Sequence, residues 1–255
     1  MIVLKTPQEV EKMRKAGDVV ARTLDLLRRS AKAGMTTMEL DEIAAQFVRE
    51  QGAIASFKGY HGFPGHICAS VNNEVVHGIP KDRKLSEGDI LSIDFGAIVE
   101  GYHGDSAITF PIGKISEEVE QLLKITEESL YAGIEQAVPG NYLGDISHGI
   151  EKYIHGYQFG IVREFVGHGI GKVMHEEPQI PNYGPPRQGP LLKAGMTLAI
   201  EPMVNLGTPE VIVLEDQWTV VTKDGRPSAH FEHTILITEM GPEILTRIQK
   251  NSCSL

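Results

Sequence analysis

The feature that most constrains this chain is an internal repeat, in which segments of the sequence match across a nearly constant separation. The segment LSEGDILSID (85–94) aligns without a gap to LKAGMTLAIE (192–201), and both end on a carboxylate. Upstream, the apolar pattern of residues 33–48 matches that of residues 139–154. The offsets are 107 and 106 residues, and such agreement over separate segments indicates a duplicated structural unit. The sequence therefore predicts two related halves, each built as helix, helix and strands.

Each half carries two acidic residues at corresponding places. Asp94 and Glu201 share one repeat position, inside apolar segments where a carboxylate is poorly placed unless it is paired or bound to a metal. Asp105 and Glu232 follow in a second pair of similar segments, at an offset of 127. Where the halves meet, four carboxylates converge, and they cannot all stay ionised unless cations neutralise them. The repeat therefore predicts a cation site between the halves.

Three histidines lie in glycine-containing segments, where the backbone can approach a ligand closely. His168 and His175 belong to GHGIGKVMHEEP, and His77 belongs to VVHGIP, which looks like a repeat partner of VMHEEP. Together with the acids they form an oxygen-rich donor set that suits paired divalent ions such as Mn, Fe, Co or Zn. Two of the carboxylates could instead be the acid and base of a glycosidase, although that chemistry needs two acids rather than four with histidines. No H-E-x-x-H, G-x-S-x-G, P-loop or EF-hand motif is present.

Local signals predict four helices. Thr6 with Glu9, and Thr36 with Glu39, form capping boxes that mark the first two helix starts. A third helix is predicted from about Ser116 to Val138, and a shorter fourth carries apolar residues at helical spacing. The residues of that fourth stripe are Ile146, Ile150, Tyr153 and Ile154.

Short segments rich in β-branched residues predict the strands. They span residues 90–99, 106–113, 197–204, 218–225 and 231–238. Between the first two, Gly101-Tyr102-His103-Gly104 is predicted to form the turn of a hairpin that brings Asp94 beside Asp105. Alternation predicts that His230 and Glu232 lie on one face of their strand and His233 on the other. The Pro- and Gly-rich stretch 178–190 is predicted to be an ordered loop within a domain.

Composition sets outer bounds on the class of protein. The 255 residues, 41% of them hydrophobic, are enough for one large core or two modest ones, and we interpret the repeat as one domain (1–255) with halves of about 1–113 and 114–255. The net charge of −10 argues against binding of duplex nucleic acid, and no apolar run is long enough to span a membrane. Cys68 and Cys253 are the only cysteines, so we expect no disulfide and a cytoplasmic location.

Six motifs, in this order and at these spacings, resemble those of type I methionine aminopeptidases in their short bacterial form. They are VVHGIP, SIDFG, GYHGDSA, GHGIGKVMHEEP, AIEPMV and HFEHT. The resemblance extends from TPQEVEKMRKAG to HTILIT and so covers essentially the whole chain. It implies an α/β (α+β) pita-bread fold, with two pseudo-symmetric helix-helix-strand halves around a curved antiparallel sheet. It also implies a metal-dependent exopeptidase that removes the initiator methionine from nascent polypeptides.

The same resemblance implies roles for the site residues. Asp94, Asp105, His168, Glu201 and Glu232 are similar to the ligands of two divalent ions, Co, Mn, Fe, Zn or Ni, with Asp105 and Glu232 bridging. Asp94 would complete the coordination of one metal ion, and His168 with Glu201 would complete that of the other. Glu201 is also the expected proton shuttle between the metal-activated water and the leaving amine. His175 would hydrogen-bond the substrate carbonyl and its oxyanion, and His77 would contact the scissile amide nitrogen.

The walls of the methionine pocket are implied in the same way. They are Tyr60, Phe63, Cys68 and Trp218. Cys68 is then a soft contact for a thioether rather than a redox thiol. Phe63 stands where tyrosine is common in relatives, so we expect an apolar wall without a hydrogen bond from that position.

The implied partners are nascent N-termini in which methionine is followed by a small residue. The family role is compatible with docking on the ribosome, and the resemblance favours a monomer. Two alternatives stay open: a proline-directed peptidase on the same scaffold, and a non-catalytic pita-bread protein that only binds a partner. Against the second, all five ligand positions are filled in this sequence.

Overall fold

The computed structural model describes residues 1–248 of the chain. Cys253 lies outside this range, so the expectation of no disulfide is tested only for Cys68, which is a buried free thiol. Within the described part, no helix combines the length and apolar character needed to cross a bilayer.

The first half of the chain consists of two helices followed by five strands and one 3₁₀ turn. The elements are α1 (Pro7–Ser30), α2 (Thr37–Glu50), β1 (Ile54–Ala55), the turn Tyr60–Gly62, β2 (Cys68–Val71), β3 (Glu74–Val76), β4 (Ile90–Val99) and β5 (Tyr102–Pro111).

The second half repeats the two helices and adds more, shorter strands. Its elements are α3 (Glu117–Ile134), α4 (Leu143–Ile154), a 3₁₀ turn (His155–Tyr157), β6 (Gly160–Ile161), β7 (Gly167–Gly169), β8 (Glu176–Ile180), β9 (Thr197–Ile200), β10 (Met203–Asn205), β11 (Val211–Val213), β12 (Val220–Thr222), β13 (Ser228–His230), β14 (His233–Thr238) and β15 (Gly241–Ile244).

The predicted helix starts are confirmed. The Glu9 carboxylate accepts from the Thr6 amide at 2.8 Å, and the Glu39 carboxylate accepts from the Thr36 amide at 2.6 Å, which completes both capping boxes. The end predicted for the third helix was wrong: α3 ends at Ile134, not Val138. Beyond Ile134 the amides of Gln136 and Ala137 donate to carbonyls three residues back, so the chain tightens before it reaches Pro139.

Two larger antiparallel sheets form the centre of the fold. One has the order β1-β4-β2, with β5 paired to β4, and the other has the order β15-β14-β9-β7-β8. The amide of Glu232 donates to the carbonyl of Ala107 at 2.9 Å, which joins the two sheets directly. Two three-stranded sheets, β13-β10-β6 and β11-β12-β3, lie beside them. The predicted fold class is confirmed.

Each half has its own hydrophobic core between its helix pair and its sheet. In the first, α1 and α2 bury residues such as Leu27 and Leu40 against Phe95 of β4. In the second, α3 and α4 bury residues such as Leu122 and Ile150. This apolar burial is the main favourable term in folding, and it fixes the inner sheet faces from which the site residues project.

The predicted hairpin turn was displaced. Only Glu100 and Gly101 form it, both with positive φ (50° and 79°), which suits a two-residue turn between right-twisted strands. Tyr102, His103 and Gly104 already belong to β5, so the strand predicted over 106–113 begins at residue 102 and ends at Pro111.

Three other strand predictions were too long. The stretch 197–204 is two strands, because Pro202 lacks an amide and interrupts the ladder after Ile200. The stretch 218–225 shortens to β12, and the stretch 231–238 begins only at His233. The hydrogen-bonded strands are therefore interrupted beside Glu201 and Glu232, the two acids of the second half.

The stretch 178–190, predicted to be a loop, is partly a strand: its first three residues belong to β8.

Candidate metal centre and adjoining pocket

The β4–β5 hairpin places the two acids of the first half on one face. Asp94 pairs with Ala107, and Gly96 pairs with Asp105. Directly opposed residues share a sheet face, so Asp94 and Asp105 are diagonal neighbours on the same side. Both are buried, at 9% and 4% exposure. The hairpin therefore holds two carboxylates side by side, away from water.

The second half supplies its acids from the ends of two paired strands. Ile200, the last residue of β9, pairs with His233, the first residue of β14. Glu201 and Glu232 are the next residues beyond that pair. Because the backbone of Glu232 is hydrogen-bonded to Ala107 of β5, the acids of both halves line one cavity.

His168 joins the acids from β7. Its Nδ1 lies 2.8 Å from the carbonyl oxygen of Gly169, and since a carbonyl only accepts, Nδ1 carries the proton. The lone pair of Nε2 is therefore free, and Nε2 lies 3.6 Å from Oε1 of Glu201. This orientation, with Nδ1 fixed by a carbonyl, is typical of a histidine that ligates a metal.

The donor atoms fit a divalent cation. Ligand atoms of Asp105, His168 and Glu232 all lie within 4.8 Å of one another. Buried oxygens of Asp94, Asp105 and Glu232 have no hydrogen-bond partner among residues 1–248. Buried carboxylate oxygens without donors are costly unless a cation satisfies them. The class of group that suits this cluster of hard oxygens and one imidazole is therefore a divalent metal ion.

The electrostatics of the protein alone agree with that requirement. Burial raises the pKa of Asp94, Glu201 and Glu232 well above the ordinary range of a carboxyl group, and the charges of the neighbouring acids raise it further. Burial also raises the pKa of Asp105 to about 7 and lowers the pKa of His168 to about 3. A bound cation would favour the ionised carboxylates and leave the imidazole neutral, as ligation requires.

An apolar pocket adjoins the acids. Cys68 of β2 pairs directly with Asp94 of β4, so the pocket wall and the acid cluster share a sheet face. Phe63 and Trp218 meet edge to face with ring centroids 5.1 Å apart. Burial, then the nearby acids, raises the pKa of the Cys68 thiol, which keeps it neutral as a soft contact. The pocket is thus mostly apolar and aromatic.

Two further histidines flank the acids. The His77 ring lies 6.2 Å from Trp218, and burial lowers its pKa to about 4. The His175 ring centroid lies 4.3 Å from that of His168, and Nδ1 of His175 lies 2.7 Å from the Tyr60 hydroxyl. Burial, followed by the charge of His61, lowers the pKa of His175. Both imidazoles are therefore neutral near pH 7 and can each donate one hydrogen bond.

The structure brings all the predicted site residues into this one cavity. Sequence reasoning missed three wall residues, Phe57, Val76 and Met174. Signals for two of them were present: Phe57, Tyr60 and Phe63 are spaced at intervals of three, and Met174 directly precedes His175. It also gave no site role to His230, whose buried Nε2 has no hydrogen-bond partner within the described chain and lies 3.7 Å from Oε2 of Glu201.

This fold, with a buried carboxylate–histidine cluster beside an apolar pocket, defines a metal-dependent hydrolase. Comparison with known proteins gives the family. Residues 11–239 match metallopeptidase family M24, and the chain belongs to that family. It is similar to methionine aminopeptidase 1 of Bacillus subtilis (59% identity, covering 97% of this chain and 100% of that protein).

Solved structures agree with this assignment. The crystal structure of methionine aminopeptidase from Thermotoga maritima is similar at a TM-score of 0.95 and 48% identity, covering 97% of this chain and 100% of that one. Prolidase from Pyrococcus furiosus shares the fold at a TM-score of 0.78 and 23% identity, covering 97% of this chain and 66% of that one. The family resemblance predicted from the motifs is therefore confirmed.

Proposed function

We propose that this chain is a methionine aminopeptidase, an exopeptidase that removes the N-terminal methionine from nascent polypeptides. The observation that carries the proposal is the pairing of Cys68 with Asp94, which sets an apolar, sulfur-lined pocket directly beside the acid cluster. The identity of 59% to a methionine aminopeptidase over nearly the whole chain supports the same substrate. A proline-directed peptidase has no such support, since likeness to prolidase extends to the fold alone.

The ligands proposed for two divalent ions are Asp94, Asp105, His168, Glu201 and Glu232. Their support is the convergence of buried, unpartnered oxygens with the free Nε2 of His168. When bound, such ions polarise the scissile carbonyl and lower the pKa of a coordinated water. Co, Mn, Fe, Zn and Ni all suit these donors, and availability decides among them.

Glu201 is the proposed proton carrier. Its side chain is 12% exposed, and its two carboxylate oxygens lie 3.6 Å from Nε2 of His168 and 3.7 Å from Nε2 of His230. Burial raises its pKa, which makes it a better acceptor for a proton of the attacking water and a competent donor to the leaving amine. A carboxyl that acts first as base and then as acid needs a pKa raised above its ordinary range.

His175 and His77 are the proposed hydrogen-bond donors to the substrate. Since both rings are neutral, each offers one N–H without adding charge beside the cations. His175 would donate to the oxygen of the scissile carbonyl as negative charge develops there. His77 would contact the scissile amide nitrogen, and the walls formed by Tyr60, Phe63, Cys68 and Trp218 would hold the methionine side chain.

The proposed substrate has methionine first and a small residue second. Because new polypeptides are made in the cytoplasm, we place the enzyme there and propose that it meets its substrates as they leave the ribosome. We expect a monomer, and sedimentation velocity tests that expectation.

A metal reconstitution series under anaerobic conditions tests the function. The chelated protein receives one divalent metal at a time, and release of methionine from Met-Ala-Ser is measured. Asp105→Ala and Glu232→Ala should abolish the metal-dependent release and keep the native circular dichroism. Asp82→Ala removes an exposed carboxylate and serves as the matched control. Full activity of Asp105→Ala after exhaustive chelation would contradict the proposal, and release of Xaa from Xaa-Pro peptides with Met-Ala-Ser ignored would select the proline-directed alternative.

A further inference from the structure

The small sheet β11-β12-β3 ends at the pocket. Val213 of β11, Val220 of β12 and Val76 of β3 align across that end of the sheet. Val76 lines the cavity and is followed by His77, and Trp218 lies in the β11–β12 connection. The carboxylate of Asp216 accepts from the amides of Trp218 and Thr219 at 2.9 and 2.8 Å, which fixes this connection. The edge strand β11 therefore ends beside the proposed substrate site.

The backbone of β11 has free hydrogen-bonding groups on its outer side. The Leu214 amide donates to Thr219 at 2.8 Å, and the Lys223 amide donates to the carbonyl of Glu210 at 2.9 Å. In an antiparallel pair, inward and outward groups alternate along the strand. With this register, the amides and carbonyls of Val211 and Val213 point away from β12. No described strand pairs with that side.

The side chains of β11 are also uncovered. Ile212, Val213 and Leu214 are 46%, 51% and 37% exposed, and successive residues of a strand point to opposite faces. Both faces of the strand end are therefore open. An exposed apolar edge with unpaired backbone groups is a template for another strand, and adding an extended peptide to such an edge is a known mode of recognition.

Resting on the proposed function, we propose that the free edge of β11 binds the substrate polypeptide beyond its third residue as an added antiparallel strand. The polarity is consistent, because β11 runs toward the pocket from Val211 to Val213 while a substrate with its first residue in the pocket runs away from it. The spacing is consistent too: β3 and β11 are two strand spacings apart, roughly 10 Å, which about three extended residues cover.

Charge favours one kind of substrate segment. Residues 210–217, EVIVLEDQ, contain Glu210, Glu215 and Asp216 and no Lys or Arg. All three acids are exposed. A segment with Lys or Arg at positions four to eight is therefore expected to bind better than one with Asp or Glu, and the difference should shrink at high salt.

The first test compares peptide lengths with the metal-loaded enzyme. Methionine release is measured from Met-Ala-Ser and from an octapeptide that extends this sequence by five residues, all of them Thr, Val or Lys. The octapeptide should have the higher kcat/KM. Val213→Pro removes one outward amide and should lower the octapeptide-to-tripeptide ratio of kcat/KM by about tenfold. Val213→Thr keeps that amide and should keep the ratio, and Ile54→Ala, at an exposed site on β1, is the control.

The second test uses octapeptides with one N-methylated residue at positions four to seven. If the substrate adds as a strand, N-methylation should lower kcat/KM at every second position and leave it unchanged at the positions between. Equal kcat/KM values for all four peptides, or no advantage of the octapeptide while Met-Ala-Ser is hydrolysed, would overturn the inference and leave the proposed function standing. A dimer that Val213→Pro dissociates would overturn it also, since a second copy would then cover the edge. Failure to release methionine from both peptides would contradict the proposed function itself.

Discussion

The hydroxyl of Tyr60 lies 2.7 Å from Nδ1 of His175. Burial lowers the pKa of His175, so near pH 7 the ring carries a single proton. If the Tyr60 hydroxyl donates to Nδ1, that proton is on Nε2, where it can be donated to a substrate carbonyl. We therefore predict that Tyr60, which lines the cavity, also positions His175.

Tyr60→Phe tests this relationship. The substitution keeps the aromatic wall and removes one hydrogen bond, worth about 1 kcal/mol, so we expect kcat for Met-Ala-Ser to fall about fivefold. KM should change less, because the pocket shape is kept. Steady-state kinetics of the metal-loaded enzyme measures both. Tyr102→Phe, which removes a hydroxyl that binds Glu9 away from the cavity, is the matched control, and equal kcat for Tyr60→Phe and the parent enzyme would refute the role.

Sequence reasoning succeeded where the signal was local or repeated. The Thr6 and Thr36 caps were predicted because a capping box is complete within four residues. The convergence of Asp94 and Glu201 was predicted because the repeat places both at one position of related halves, and the structure brings them into one cavity.

The errors fall where backbone geometry depends on tertiary contacts. GYHG has two glycines and reads as a turn, yet the amide of His103 donates to the carbonyl of Gly171 at 2.8 Å, which fixes this stretch as strand. Phe57 and Met174 were missed as wall residues because their places near Tyr60 and His175 along the chain suggest the cavity but do not establish that an apolar side chain faces it. The contact of Tyr60 with His175 joins residues 115 positions apart, beyond the reach of any local pattern.

Removal of metal should change how stability depends on pH. In the protein without metal, burial raises the carboxylate pKa values, that of Asp105 to about 7 from 3.8. The folded state then binds more protons than the unfolded state between these values, so the free energy of unfolding falls as pH rises through this window. With Mn²⁺ bound, the free energy of unfolding should instead rise as pH rises, because protons and metal compete for the same oxygens. Thermal unfolding at pH 5 to 8, with EDTA and with Mn²⁺, measures both slopes, and parallel curves would contradict the proposed ligands.

A second pH effect arises outside the cavity lining, at the start of α1. Hydrogen bonds from the Thr6 amide, then from Tyr102 and the Thr6 hydroxyl, lower the pKa of Glu9 to about 2 from 4.5. A lowered folded-state pKa gives stability that is present above pH 4.5 and is lost as pH falls toward 2. Glu9→Gln should therefore unfold more easily than the parent at pH 7, and the two should converge near pH 2. Urea titrations of the EDTA-treated proteins at both pH values measure this, and a difference that persists at pH 2 would argue against it.

Gly78, which follows His77, should tolerate no side chain. A Cβ there would lie 2.4 Å from the carbonyl oxygen of Ala69, a backbone atom that also belongs to β2 of the pocket wall. The Gly78 amide donates to Ser70 and its carbonyl accepts from the Ala69 amide, so the strand cannot move aside without losing both bonds. Gly78→Ala should thus lower both the melting temperature and kcat/KM for Met-Ala-Ser, since His77 is displaced. Gly156→Ala, where a Cβ would meet no atom within 4 Å, should change neither, and differential scanning fluorimetry with peptide kinetics distinguishes the two variants.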